Sequence, residues 1–218
     1  MPILFAALAQ RLHLKATLST APGHMFVKYT DDVTGKTVNL ETTSGAYPAR
    51  DVYIRQNMPM TDEAVANGIY MKTLTRKEAL VILAGIVIER EMSDGRYQEA
   101  WDIAELLRPY YPNDPVVMLT PADAALALVR EEYLSKYPRK DDIPPERLDR
   151  LHFLERSVSD ALNHAYALGW RETDGEASTA VAAAQLRSAP VDAALRFPPF
   201  VSSRTQNMAR LPRLNPMP

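Results

Sequence analysis

Residues 22–45 constrain this chain more than any other stretch. They read PGHMFVKYTDDVTGKTVNLETTSG, two runs rich in β-branched and aromatic residues around a polar turn. Residues 24–29 and 37–41 have the composition of strands, and Asp31, Asp32, Thr34 and Gly35 supply turn chemistry, with Gly35 free to adopt a positive φ. Side chains alternate across a strand, so His24, Phe26 and Lys28 share one face, and Asn39 and Glu41 share one face of the partner. Pairing Asp31 with Lys36 across the turn sets Phe26 opposite Glu41 and His24 opposite Thr43. His24 and Glu41 then become diagonal neighbours within reach of each other. A slip of one residue would send them to opposite faces, so the turn length decides whether the pair exists.

An imidazole beside a carboxylate is the base-and-orienter half of a nucleophilic triad. The carboxylate fixes the tautomer and favours the imidazolium, while the imidazole takes a proton from a Ser or Cys. The same residue types on neighbouring strands also form ordinary surface pairs.

The segments GHMFVKY and VNLETTSG resemble the transglutaminase-like, papain-type core of SirB1-related bacterial proteins. The resemblance takes in the helix before the hairpin and the helical region after it, about three quarters of the chain. It implies that His24 is the catalytic histidine and that Glu41 stands where the family has the Asp of a DPF-type motif. Ser44-Gly45 then takes the place of that motif's Asn-Gly. Glu for Asp adds one methylene, and Asn39, on the same face, is the alternative orienter. The family also implies a nucleophilic cysteine at the N-terminal end of the helix before the hairpin, where the helix dipole favours a thiolate. The sequence has no cysteine. By the family pattern the thiol belongs a few residues ahead of Met1, in a longer chain, or the chain is a natural variant without it. Ser19, Thr20 and Ser44 are the nearest hydroxyls, and none is expected at a helix terminus that would activate it.

Composition excludes several classes. A formal net charge of −2 gives no electrostatic case for nucleic acid or an anionic membrane, and the absence of Cys removes disulfides and zinc-thiolate sites. No apolar run approaches a membrane span. The N-terminal ILFAALA lacks a basic region before it and runs on into QRLH rather than a small-residue cleavage site, so the expectation is a cytoplasmic protein.

The order of elements predicts an α+β fold: a small, N-terminally incomplete transglutaminase-like core over 1–60, a helical region over 61–170, and an Ala/Pro/Arg-rich tail over 171–218. The first helix is expected over 3–14, with Leu4, Leu8 and Leu12 on the sheet and His13 at its C-terminal end, followed by a strand near 16–19. Residues 46–53 read as a loop in which Tyr47 could meet a substrate or pack over the hairpin. A short helix over 61–67 stops at Gly68. Thr75 and Glu78 form a capping-box pattern opening a helix to about residue 91, with Leu80, Leu83, Ala84, Val87 and Ile88 as its apolar face. A second helix opens at Gly95-Arg96-Tyr97 and ends before Pro112-Asn113-Asp114-Pro115. The pair resembles one tetratricopeptide unit, with Gly85 and Ala104 small enough for close approach.

Thr120-Pro121 is expected to start the next helix, running to about Tyr137. After a charged linker over 139–145 comes a helix carrying Leu148, Leu151, Leu154, Val158, Ala161, Leu162, Ala165 and Leu168. His152 and His164 lack the spacing of a zinc pair. A marginal helix at 180–184 and a disordered or peripheral segment over 188–218 complete the expectation. The leading functional expectation is cysteine-type acyl transfer or amide hydrolysis, with His24 as base, Glu41 (or Asn39) as orienter and the nucleophile missing from the given chain, which by itself is inactive. The alternative is a non-catalytic scaffold binding a protein or peptide partner through its helices. Neither reading calls for a cofactor or metal.

Overall fold

The computed structural model of the chain describes residues 1–171, whose contacts divide them into two compact units, one of Met1–Leu80 and one from Val81 onward. The class is α+β, with seven α-helices and one four-stranded antiparallel sheet among the described residues. No helix among them is long and apolar enough to cross a membrane. The expectations for 180–184 and 188–218 lie outside the described residues.

In the first unit, α1 (Pro2–Arg11) leads into β1 (Lys15–Ala21), β2 (His24–Thr30), β3 (Thr37–Glu41) and β4 (Tyr47–Ala49). The helix ends earlier than expected because His13 takes a left-handed φ of 59° and Leu14 N donates back to Ala9 O at 2.9 Å, a Schellman-type stop. β1 pairs with β2 from Lys15↔Thr30 to Ala21↔His24, and β2 pairs with β3 from Thr30↔Thr37 to Val27↔Leu40. The connecting turn is built as its residues dictate. Asp31 N donates to Lys36 O at 2.9 Å, Asp31 Oδ1 accepts from the amides of Val33 and Thr34 and from the Thr34 hydroxyl, and Gly35 sits at φ 68°.

Both faces of the sheet are buried, Ser19, Ala21, Phe26, Asn39 and Glu41 on one and Ala16, Leu18 and Val27 on the other. Phe26 and Val27 have no exposed surface, and burying each contributes about 2–3 kcal/mol. A one-residue slip would exchange these sets, so packing and turn specify the same register. Residues 69–74 cover the outer edge of β1: Met71 N donates to Thr20 O at 2.8 Å and Leu74 N to Leu18 O at 3.0 Å. The Thr17 hydroxyl adds a bond to Leu74 O. These bonds tie residues 69–74 to β1, within the unit of Met1–Leu80.

Two sequence expectations in this unit fail. Leu4, Leu8 and Leu12 do not pack on the sheet but are 54%, 53% and 69% exposed, whereas Pro2, Ala6 and Ala9 are the buried residues of α1. Small side chains let a helix approach a sheet closely, and that face won over the bulkier leucine stripe. Residues 46–53 are not a loop: β4 pairs with β3 through Asn39↔Ala49, Leu40↔Pro48 and Glu41↔Tyr47, and α2 (Asp51–Asn57) follows at once. Proline is tolerated there because β4 is an edge strand. Tyr47 is exposed, its ring 3.2 Å from where a Cβ on Gly45 would sit, and Gly45 itself has φ 88°. α3 (Asp62–Ala66) forms as expected, with the Thr61 hydroxyl accepting from Ala64 N at 3.0 Å.

The capping box at the start of α4 (Arg76–Ser93) is present in both directions: Glu78 N donates to Thr75 Oγ1 at 3.2 Å, and Thr75 N to Glu78 Oε2 at 2.8 Å. Its buried face is Val81, Gly85, Ile88 and Met92, so of the expected apolar face only Ile88 is buried, and Leu80, Leu83 and Val87 are exposed. In the second unit α5 (Tyr97–Leu107), α6 (Pro115–Val129) and α7 (Pro145–Ala167) follow. Gly85 meets Val116 of α6, at 3.5 Å from an added Cβ, rather than a residue of α5.

α6 begins six residues before the expected Thr120-Pro121 start, with Asp114-Pro115 in its place. Asp114 caps it, accepting from Val116 N at 2.9 Å and Val117 N at 3.4 Å, with Pro115 at the first helical position. Pro121 therefore lies inside the helix, preceded by Thr120, whose hydroxyl donates to Val116 O at 2.7 Å. A π-turn at Arg130–Leu134, closed by Ser135 N donating to Arg130 O at 3.0 Å, ends this helix, with Tyr133 fully buried and its hydroxyl donating to Arg147 O at 3.0 Å. α7 buries Leu151, Leu154, Val158, Ala161, Leu162 and Ala165, six of the eight positions expected for it.

Candidate functional site

β2 begins at His24 and β3 ends at Glu41, so both lie at the same end of the sheet. One step beyond the Val27↔Leu40 pair, Phe26 faces Glu41, and His24 is its diagonal neighbour. His24 Nε2 lies 2.6 Å from Glu41 Oε2, with only 7% and 10% of the two side chains exposed. The pair is thus no ordinary surface contact. Asp31, Lys36 and the six-residue turn between the strands set it in place.

The other carboxylate oxygen is occupied as well. Glu41 Oε1 accepts from the Thr43 amide at 3.1 Å and from the Thr43 hydroxyl at 2.5 Å, within a tight 3-10 turn at Thr42–Ser44. Burial pushes the Glu41 carboxyl up, but the His24 hydrogen bond outweighs it together with the two Thr43 bonds and the imidazole charge. The net result holds the group below the ordinary glutamate value. With Nε2 donating to a carboxylate, the lone pair of the neutral ring resides on Nδ1, which receives no hydrogen bond among the described residues.

Asn39 shares the face of Glu41, but its amide nitrogen is directed elsewhere, donating to Ala49 O at 3.1 Å and Asp51 Oδ1 at 2.6 Å. It fastens β3 to β4 and to the start of α2, while Glu41 makes the bond to the imidazole. Sequence reasoning missed Thr43 and Asp51. The signal for Thr43 was the Glu41-Thr42-Thr43 tripeptide, in which a carboxylate folds back onto the amide and hydroxyl two residues on. Asp51 could have been read from an acid at the start of a helix.

α1 packs on β1 and β2 and reaches the Thr42–Ser44 turn. Since residues 12–14 reverse the chain between α1 and β1, the first turn of α1 lies at the end of the sheet that holds His24 and Glu41. That terminus has no side-chain cap, so its free amides carry the positive end of the helix dipole. Two hydroxyls nearby in sequence are buried without a partner, Ser19 Oγ and Thr42 Oγ1. His13 closes α1, and His164 Nε2 lies 3.4 Å from Pro112 O in the second unit. Among the described residues no group of three or more His, Asp or Glu side chains gathers as a metal site would. Compared with protein-family models, curated proteins and solved structures, the chain matches none.

Proposed function

We propose that His24 and Glu41 are the general base and its orienter in a cysteine-type acyl-transfer or amide-hydrolysing site of transglutaminase-like kind, whose thiol comes from outside these 218 residues. The observation that carries this reading is the buried 2.6 Å contact between His24 Nε2 and Glu41 Oε2, with Nδ1 left unbonded. In the proposed chemistry Nδ1 takes the thiol proton as sulfur attacks the carbonyl carbon. The same proton passes to the departing amine when the tetrahedral intermediate collapses, and water repeats the cycle on the thioester. Glu41 stays ionised throughout and stabilises the imidazolium. The first turn of α1 supports the reading, because a thiol just ahead of it would meet both the helix dipole and the imidazole.

The test is a chain extended by a short N-terminal segment carrying one cysteine, alkylated with iodoacetamide across pH. A thiol activated by the pair reacts at neutral pH with a depressed pKa, and His24→Ala returns it to the ordinary thiol profile. Equal profiles with and without His24 would remove the imidazole from its proposed role.

A second reading is a scaffold that binds a protein partner through its helices, favoured by the exposed Leu83, Ile86 and Val87 on α4 and Leu106 on α5. It expects Val87→Glu, and not His24→Ala, to abolish association.

A further inference from the structure

We propose that Thr43 is a positioning residue of this site: its amide and hydroxyl together hold Glu41 Oε1, so that Oε2 is the oxygen offered to His24 Nε2 and Nδ1 remains the basic nitrogen. The inference rests on the proposed roles of His24 and Glu41 and adds what decides their geometry.

A glutamate at the end of a strand has three side-chain torsions, and nothing in strand geometry alone aims its carboxylate along the sheet. Here one oxygen is fixed twice from the same residue, at 3.1 Å by the backbone and at 2.5 Å by the hydroxyl. The 3-10 turn at Thr42–Ser44 and the left-handed Gly45 that closes it set Thr43 below the carboxylate. Two donors on Oε1 leave Oε2 as the free acceptor, and the only hydrogen bond formed to it among the described residues comes from the imidazole. The longer glutamate reaches across the diagonal to His24, and Thr43 removes the freedom that the extra methylene brings. Outer partners of this kind orient a histidine in metal sites too, where they fix its tautomer through the carboxylate.

The arrangement separates two functions of Thr43. Its amide belongs to the turn and survives any side-chain change, while its hydroxyl serves only the carboxylate. Thr43 is an exposed residue, so Thr43→Val removes the hydroxyl at nearly constant shape without opening a cavity. Thr43→Ser keeps the hydroxyl and drops the methyl.

The ring nitrogens of His24 report the outcome directly through long-range 1H–15N correlation on the whole chain, at a pH where the ring is neutral. In the wild type Nε2 is expected at the protonated-type shift and Nδ1 at the pyridine-type shift. In Thr43→Val both shifts move toward the average of the two tautomers, and in Thr43→Ser they return to the wild-type values. A Thr43→Val spectrum identical to that of the wild type, with sheet amides unmoved, would overturn the role of Thr43 and leave His24 and Glu41 in theirs. A wild-type ring protonated on Nδ1 would overturn both. Should Thr43→Val perturb the sheet amides, Thr43→Ala tests the same loss with a smaller side chain, and the same two outcomes decide.

Discussion

Glu41→Gln removes a charge while leaving the shape of the side chain, and the structure fixes what it should cost. The carboxylate accepts three hydrogen bonds, at 2.6 Å from His24 and at 3.1 and 2.5 Å from Thr43, and the residue is 8% exposed. A hydrogen bond to a charged group contributes about 1.5–3 kcal/mol and a neutral one about 1 kcal/mol. The amide keeps the Thr43 bonds in neutral form but turns its NH2 toward Nε2, which must then accept. The expected loss is about 1–2 kcal/mol at pH 7, a 5–30-fold change in the folded ratio.

Its pH dependence carries the sign. The Glu41 carboxyl is held below its ordinary value, chiefly by the His24 bond acting against burial. Its contribution is therefore complete above the unfolded value of about 4.3 and is lost as pH falls through the lower folded value. Glutamine does not titrate, so the gap between wild type and variant should be full at about pH 6–7 and narrow progressively as pH falls below the unfolded value of about 4.3. Both tryptophans, Trp101 and Trp170, belong to the second unit, and their fluorescence would report on the wrong part of the chain. Amide hydrogen exchange at Phe26, Val27 and Leu40 reads the sheet itself. Unchanged protection of these amides at pH 7, or a gap that widens as pH falls, would refute the reasoning.

Other substitutions test the packing. Gly85→Ala places a methyl in ordinary contact with Val116 and removes a helix-interior glycine, so the second unit should gain about 1 kcal/mol, seen as a higher tryptophan-monitored denaturation midpoint. Asp114→Ala removes the acceptor for the Val116 and Val117 amides and should cost about 1 kcal/mol by the same assay. On α1 the two faces should respond oppositely. Leu8→Gln should change sheet stability by less than about 0.5 kcal/mol, while Ala9→Leu, overpacking a buried position, should cost about 1–3 kcal/mol by hydrogen exchange.

The hairpin was legible because turn chemistry and strand period agree. Asp31 and Gly35 close a turn that permits one register, and that register makes His24 and Glu41 diagonal neighbours. The strand composition, the capping box at Thr75 and Glu78, and most of the buried face of α7 could be read for the same reason, since local propensity and packing ask for the same thing. Where two local signals compete, tertiary packing chose. α1 offers leucines at 4, 8 and 12 and small residues at 2, 6 and 9, and periodicity cannot say which stripe the sheet takes. Asp114-Pro115 and Thr120-Pro121 are both good helix starts, and the earlier one prevailed because its helix could absorb the later proline. β4 was hidden by Pro48, whose missing N–H matters only on a central strand. Thr43 was missed for another reason: its importance comes from a carboxylate rotamer, which no periodicity records and which only the local Glu41-Thr42-Thr43 pattern signals.

The most direct test of the account is the protonation pattern of the His24 ring in the unaltered chain and in Glu41→Gln. The neutral wild-type ring should carry its proton on Nε2, with Nδ1 free, and Glu41→Gln should shift that proton to Nδ1 as the glutamine amide donates to Nε2. A ring with its proton on Nδ1 in the wild type, or one indifferent to the loss of the carboxylate, would contradict it.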